Sequence, residues 1–273
     1  MAELAADAPL PFRPHTPEAG DAIVVDGLTR LFGKSRAVDD ISFRVRRGLC
    51  FGFLGPNGAG KSTTIKMLTG MLRPTQGTIS IEGRSIESDR LEIKSLIGVL
   101  PEELALYERL SGEEYLQFAG RMYGLGADET RRRGDELLEF LSLAADRSKL
   151  IVDYSLGMKK KVALAAALIH NPRVLFLDEP LSGIDPVSGR VVSDLLSSLA
   201  RKGVTLFLTS HALDAVERLC DEVAVIHRGR LVAQGTPDEL RTERSLGANA
   251  SLEDAFLKLV AADVRRGDLS WIG

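Results

Sequence analysis

Three stretches of this chain carry residue types that can do chemistry together. The first is FLGPNGAGKST, residues 53–63, with Gly55, Pro56, Asn57, Gly58, Ala59 and Gly60 leading into Lys61, Ser62 and Thr63. Glycines at this spacing let successive backbone N–H groups curl around phosphate oxygens. The lysine adds charge to the outer phosphates, and the serine hydroxyl can face Mg²⁺. The second is RVLFLDEP, in which an apolar run ends in Asp178 and Glu179. A carboxylate at a buried strand tip can hold a metal, and its neighbour can take a proton from water. The third is LFLTSHAL, whose His211 follows another apolar run and can polarise a phosphate or hold a water. Asp178 is the expected metal-side residue, Glu179 the expected general base, and Lys61 and His211 their catalytic partners.

These residues need elements to position them. LCFGFL is almost continuously apolar, as a central strand covered on both faces should be. AIVV, ISFRV, GTISIEG and LIGVL read as further strands, and EVAVIHRGRLVAQG as a hairpin with Gly229 in its turn. Between them the pattern turns helical. Ser111 and Glu114 form a capping box ahead of apolar residues at helical spacing, and Gly124 stops the run. Further helices are expected near 129–143, 157–170, 186–202 and 212–220, with a short one from Pro237 and a last one opened by Ser251 and Asp254.

The organisation that follows is an α/β core of residues 21–90 and 165–240, interrupted by a helical subdomain over 91–164. Residues 1–20, with prolines at 9, 11, 14 and 17, read as a flexible tail, and residues 241–273 as a C-terminal helical extension. With 273 residues, 44% of them hydrophobic, the chain can bury a large core. A formal net charge of -3 gives no reason to expect a nucleic-acid partner. The run Arg131–Arg133 reads as a solvated helix face. Cys50 and Cys220 make no metal or CxxC spacing, which suits buried thiols in a reducing compartment. No apolar stretch approaches the ~18 residues of a membrane span, so any membrane role runs through a partner.

YSLGMKKKV, residues 154–162, poses a problem. It reads as a helix start capped by Ser155, yet Lys159, Lys160 and Lys161 crowd the positive end of the helix dipole. Phosphate loop, acidic pair and histidine in this order resemble the ATP-binding cassette (ABC) family of ATPases. In that light YSLGM is similar to the family's Leu-Ser-Gly-Gly-Gln signature, keeping Ser155 and Gly157. The resemblance implies a P-loop NTPase, RecA-like core with an antiparallel β subdomain and the inserted helical subdomain. It implies ATP and Mg²⁺ as ligands, and two cassettes packed head to tail, as homodimer or heterodimer. Ser155 and Gly157 would then donate to the γ-phosphate held by the other cassette. That anion would make the lysines tolerable; otherwise their tips simply reach water.

By the same resemblance SGIDP is the D-loop, with Asp185 crossing the dimer seam, and Phe32 stacks on adenine rather than packing in the core. Glu102, or Glu103 with the register one residue on, stands where the family has a Mg²⁺-reaching glutamine and adds negative charge there. PEE, LY, LSG, EYL, YGL and SLEDAFL are similar to the subfamily powering bacterial exporters. That implies a separate membrane-embedded permease and a place on the cytoplasmic face of the membrane, with a groove near Leu106 and Tyr107 meeting the permease. Two other functions fit less of the pattern: a low-turnover nucleotide-gated regulatory subunit, and a soluble ABC ATPase acting on ribosomes or DNA. The single copy of each motif and the absence of long coiled coils speak against the last.

Overall fold

The computed structural model describes residues 20–242 and 251–260. The tail expected over 1–20 therefore lies almost wholly outside the described residues, as does most of the extension expected over 241–273. Strands β1 (Asp21–Phe32) and β2 (Ser35–Arg46) form a long hairpin, and β3 (Cys50–Leu54) runs through the glycine loop into helix α1 (Lys61–Leu68). Strands β4 (Gln76–Ile81) and β5 (Arg84–Ser85), helix α2 (Arg90–Leu96) and strand β6 (Ile97–Leu100) follow. Then come three helices, α3 (Gly112–Met122), α4 (Ala127–Phe140) and α5 (Leu156–Leu168). The chain continues with β7 (Val174–Asp178), α6 (Pro186–Arg201), β8 (Thr205–Ser210), α7 (Leu213–Leu219), β9 (Glu222–His227) and β10 (Arg230–Gly235). Helices α8 (Pro237–Thr242) and α9 (Leu252–Val260) complete the described elements.

The strands make two sheets. One is antiparallel, in the order β2-β1-β4-β5; the other runs β10-β9-β3-β8-β7-β6. In the second, β9, β3, β8, β7 and β6 are mutually parallel and only β10 is reversed. The apolar runs of β3, β7 and β8 are buried at every residue because layers cover both faces of this sheet. Phe51, Phe53, Phe176 and Phe207 point to one side and pack with Phe43 and the antiparallel sheet. Leu54, Leu175, Leu177, Leu206 and Leu208 point to the other, toward Val162, Leu164 and Leu196 of α5 and α6.

Two sequence boundaries move. Strand β6 pairs in register with β7, Ile97 opposite Val174, so the parallel sheet takes in residues 97–100 and the helical insertion begins after Leu100, not at 91. Helix α5 runs unbroken across the boundary expected at 164/165, because the same helix carries the insertion back to the core. It starts where Ser155 caps it and ends before Asn171, whose φ of 59° turns the chain. The capping box of α3 is present: Glu114 N donates to Ser111 Oγ, and Ser111 N to the Glu114 carboxylate at 2.8 Å. Cys50 and Cys220 are buried together, their sulfurs 3.7 Å apart, and burial pushes the Cys220 thiol well up.

Candidate functional site

The parallel sheet brings the sequence-predicted residues to one edge. Gly55 follows the end of β3, Asp178 ends β7, His211 follows β8 and Glu102 follows β6; these four strands are neighbours in the order β3-β8-β7-β6. The carboxyl edge of parallel strands is where such sheets present residues to ligands, since chain ends and helix starts gather there.

The phosphate loop is shaped by its glycines. Gly60 has φ 113°, and a Cβ there would lie 2.5 Å from the Ala37 carbonyl of β2, so only glycine fits. At Gly55 a Cβ would meet the Ile226 carbonyl of β9 at 2.4 Å. The β9–β10 turn clamps the loop from outside, with Gly229 N donating to Ala59 O at 3.0 Å. Gly60 then opens α1 without a side-chain cap, which leaves the helix's first N–H groups and dipole for an anion. Ser62 and Thr63 lie half-buried in that first turn, after half-buried Pro56, exposed Asn57 and Gly58, and buried Ala59.

Lys61 Nζ reaches back to the Gly55 carbonyl at 2.7 Å and lies 4.0 Å from Glu179 Oε1. The other oxygen, Glu179 Oε2, sits 2.9 Å from His211 Nδ1. Glu179 is only 5% exposed and has φ 52°, an uncommon backbone conformation for a residue with a side chain. Asp178, beside it, accepts a hydrogen bond of 2.5 Å from Thr209 Oγ1, and Thr209 Oγ1 accepts from Glu179 N at 3.1 Å. Lys61, Asp178, Glu179 and His211 thus form one cluster, braced by a residue that sequence reasoning missed. Thr209 stood in the quoted run LFLTSHAL, but its role needs the register that sets it opposite Asp178.

Other expected residues lie apart from that cluster. Among the described residues, no hydrogen bond or ion pair joins Ser155, Gly157, Asp185 or Phe32 to the phosphate loop. Ser155 caps α5 by accepting from Met158 N, and Asp185 caps α6 by accepting from Val187 N and Ser188 N. Those bonds, Ser188's first, hold the Asp185 carboxyl below its usual range. The two helix starts adjoin: a Cβ on Gly157 would stand 3.5 Å from Ile184 and 3.8 Å from the Asp185 carboxylate. Phe32 ends β1, 49% exposed, with the Arg30 guanidinium 4.6 Å from its ring centre. It is not a core residue, and its ring is presented at the tip of the hairpin whose second strand packs on Gly60.

The lysines at the start of α5 behave otherwise than expected. Lys159 pairs with Glu108 at 2.6 Å. Lys160 and Lys161 are buried, and Lys160 Nζ donates to the backbone carbonyls of Glu179, at 2.8 Å, and Ser182. Two of the three are therefore accounted for by partners in their own chain. Arg131 and Arg132 of the arginine run lie on a solvated face, Arg132 on Glu129, while Arg133, also on Glu129, is half-buried and donates to Ile169 O at 2.9 Å.

The hard oxygen donors here suit Mg²⁺, which takes few carboxylates and completes its shell with phosphate and water. Asp178 keeps one oxygen clear of Thr209, the Ser62 hydroxyl opens α1, and Glu102 is exposed on the loop after β6. Among the described residues no group of three or more His, Cys, Asp or Glu gathers as a metal cage.

The family model for the ABC transporter family matches residues 38–182. The chain belongs to the ABC transporter family. A daunorubicin resistance ATP-binding protein, DrrA3, of Streptomyces coeruleorubidus is 42% identical over 225 residues, 82% of this chain and 71% of the relative. A Nod factor export ATP-binding protein I of Ralstonia nicotianae is 43% identical over 218 residues, 80% of this chain and 68% of the relative. A solved structure of an ATP binding subunit of an ABC transporter superposes with a TM-score of 0.81 at 34% identity, covering 87% of this chain and 99% of that one. The protein is an ABC ATPase subunit with the P-loop core, antiparallel subdomain and helical insertion of that family.

Proposed function

We propose that this ABC ATPase hydrolyses ATP at the sheet edge with Glu179 as general base, and that turnover drives export through a separate membrane-embedded permease. The observation that carries the chemistry is the Glu179 carboxylate held between Lys61 and His211, 4.0 Å from one and 2.9 Å from the other. A water on Glu179 gives up its proton as it attacks the γ-phosphate in line. The phosphate loop and Lys61 hold the β and γ phosphates, His211 orients the water or the phosphate, and Phe32 offers its ring to adenine. Mg²⁺, held by Ser62, Asp178 and Glu102, would neutralise charge on the transferring phosphoryl group.

Ser155 and Gly157 make no bond to their own phosphate loop among the described residues, which supports a second cassette as the source of the phosphate they meet. Exposed apolar Leu156 and Val187 flank these helix starts and suit burial against that cassette. No helix among the described residues is long and apolar enough to cross a membrane, so the permease must be met at the surface. A depression of about 410 Å³ lined by Leu106, Tyr107, Arg109 and Phe118 suits that contact, with the exposed Tyr107 ring edge-on to Phe118 at 5.0 Å. Relatives named for drug resistance and for export support the direction of transport, and a motor for such a permease would work at the cytoplasmic face of the membrane.

The test is purification of the full chain from its own membranes in mild detergent. A polytopic membrane protein should be retained in about equal amount. Tyr107→Arg should release it while ATP binding is unchanged. Retention of ribosomes or DNA-repair proteins in its place would overturn the export reading, and an undiminished complex in Tyr107→Arg would overturn the groove.

A further inference from the structure

Among the described residues, Lys160 is a buried ammonium with no carboxylate in hydrogen-bond or ion-pair contact. It is 5% exposed, sits in the first two turns of α5, and donates to two backbone carbonyls: Glu179 O at 2.8 Å and Ser182 O. Taking a lysine out of water is costly, and here the compensation comes from those carbonyls and from the field of nearby acids. Burial lowers its pKa, while Glu179, then Glu102 and Asp178, pull it back up.

The two carbonyls belong to a single turn. Ser182 N donates to Glu179 O at 3.2 Å, so the Glu179 carbonyl accepts from both its own turn and Lys160. Glu179 itself has positive φ, and Thr209 of β8 holds its N–H at 3.1 Å. The backbone of Glu179 is therefore gripped from two sides: β8 takes the N–H and α5 takes the C=O. With φ fixed in the left-handed region, the direction of the carboxylate depends on both grips.

We propose that Lys160 is a positioning residue for ATP hydrolysis, holding the Glu179–Ser182 turn from α5 so that the Glu179 carboxylate stays on its water. The proposal rests on the reading of Glu179 as general base. It also gives the lysine run a purpose: the same helix start that carries Ser155 and Gly157 is tied within one subunit to the base. Loss of the ammonium takes the donor from the Ser182 carbonyl and leaves the Glu179 carbonyl held by Ser182 N alone, and the turn relaxes. A displacement of about 1 Å at a catalytic group costs up to about 100-fold in rate.

The experiment measures steady-state Mg²⁺-ATP hydrolysis by the full-length chain, normalised to sites titrated with a fluorescent ATP analogue. Lys160→Met should lower kcat by about 10- to 100-fold, with KM and analogue affinity within about twofold, because nothing that holds the phosphates is touched. Lys160→Arg, which keeps charged donors, should recover most of the rate. In a Glu179→Gln background Lys160→Met should cost nothing further, since the group it positions is gone. A merely structural lysine would lose binding sites and rate together, and its loss would add to that of Glu179→Gln; either result overturns the proposal. Should Lys160→Met fail to fold, Lys160→Gln, with a neutral donor, carries the same readouts. Normal turnover in Lys160→Met beside a dead Glu179→Gln overturns this inference alone. Normal turnover in Glu179→Gln overturns the base reading and this inference with it.

Discussion

Helices α1 and α5 both begin with no acidic residue in the first turn, and both send a lysine toward Glu179. A helix start ordinarily favours acids, so each lysine has something to answer for. Lys61 approaches the carboxylate and is tethered to Gly55 of its own loop, six residues away. Lys160 approaches the carbonyl and is tied to residues 19 and 22 positions along the chain, on a different element. The first lysine moves with the loop that would cradle phosphate. The second joins the helical insertion to the catalytic turn. One basic helix start is built for a ligand and the other for an internal brace, though in sequence both are lysines within three residues of a glycine at a helix start.

The largest expected effect lies where the two lysines meet. Glu179→Gln keeps the shape of the turn and removes the base; ATP binding should survive while turnover drops on the order of 10²–10⁴-fold. Unchanged turnover would leave both lysines converging on a bystander. A smaller effect tests the grip opposite Lys160. Thr209→Val removes the donor to Asp178 and the acceptor for Glu179 N at a fully buried site. Each orphaned group costs about 1–3 kcal/mol, so denaturant unfolding should shift by that order and turnover should fall about tenfold. If turnover holds while stability drops, the strand grip is structural only and α5 alone aims the base.

The chemistry-bearing residues were legible because their motifs are contiguous: the glycine loop, Asp178-Glu179 and His211 each sit at the end of an apolar run, and apolar runs of that length become central strands. Strand β6 was recognised as a strand but assigned to the wrong side of a boundary, since nothing in LIGVL says which sheet it joins. The partners of Glu179 were not legible at all. Thr209 and Lys160 are 30 and 19 residues away from it, and only strand register and helix packing bring them to its N–H and C=O. The cost of the lysine run at a helix start is visible in the sequence, but the compensation for Lys160 comes from backbone carbonyls that no motif encodes. Asp185 and Ser155 show the same limit: each caps its own helix, a use that leaves any role across a cassette seam to geometry outside one chain.

The far end of α5 offers the smallest effect and the sharpest contrast with Lys160. His170, just past the helix, stacks on Tyr123 at the end of α3, ring centres 3.6 Å apart and planes within 4°. Its Nε2 donates to Ile97 O of β6 at 2.9 Å, while Nδ1 is buried with no hydrogen-bond partner. That ring is suited to the neutral form. Burial, reinforced by Arg133, lowers its pKa below 6.5 despite the bond to Ile97. Protonation is thus harder in the folded chain than in the unfolded one. The stability this represents is present above pH 6.5 and is lost as pH falls below it. His170→Phe keeps a flat ring on Tyr123 and cannot titrate. Its Tm should start below that of the wild type at pH 7.5, and the gap should narrow by about 2 °C toward pH 5, all other acid groups being common to both. Parallel Tm curves would mean that the ring admits a proton freely where it sits. A narrowing gap would show α5 pinned at one end by a charge and at the other by the absence of one.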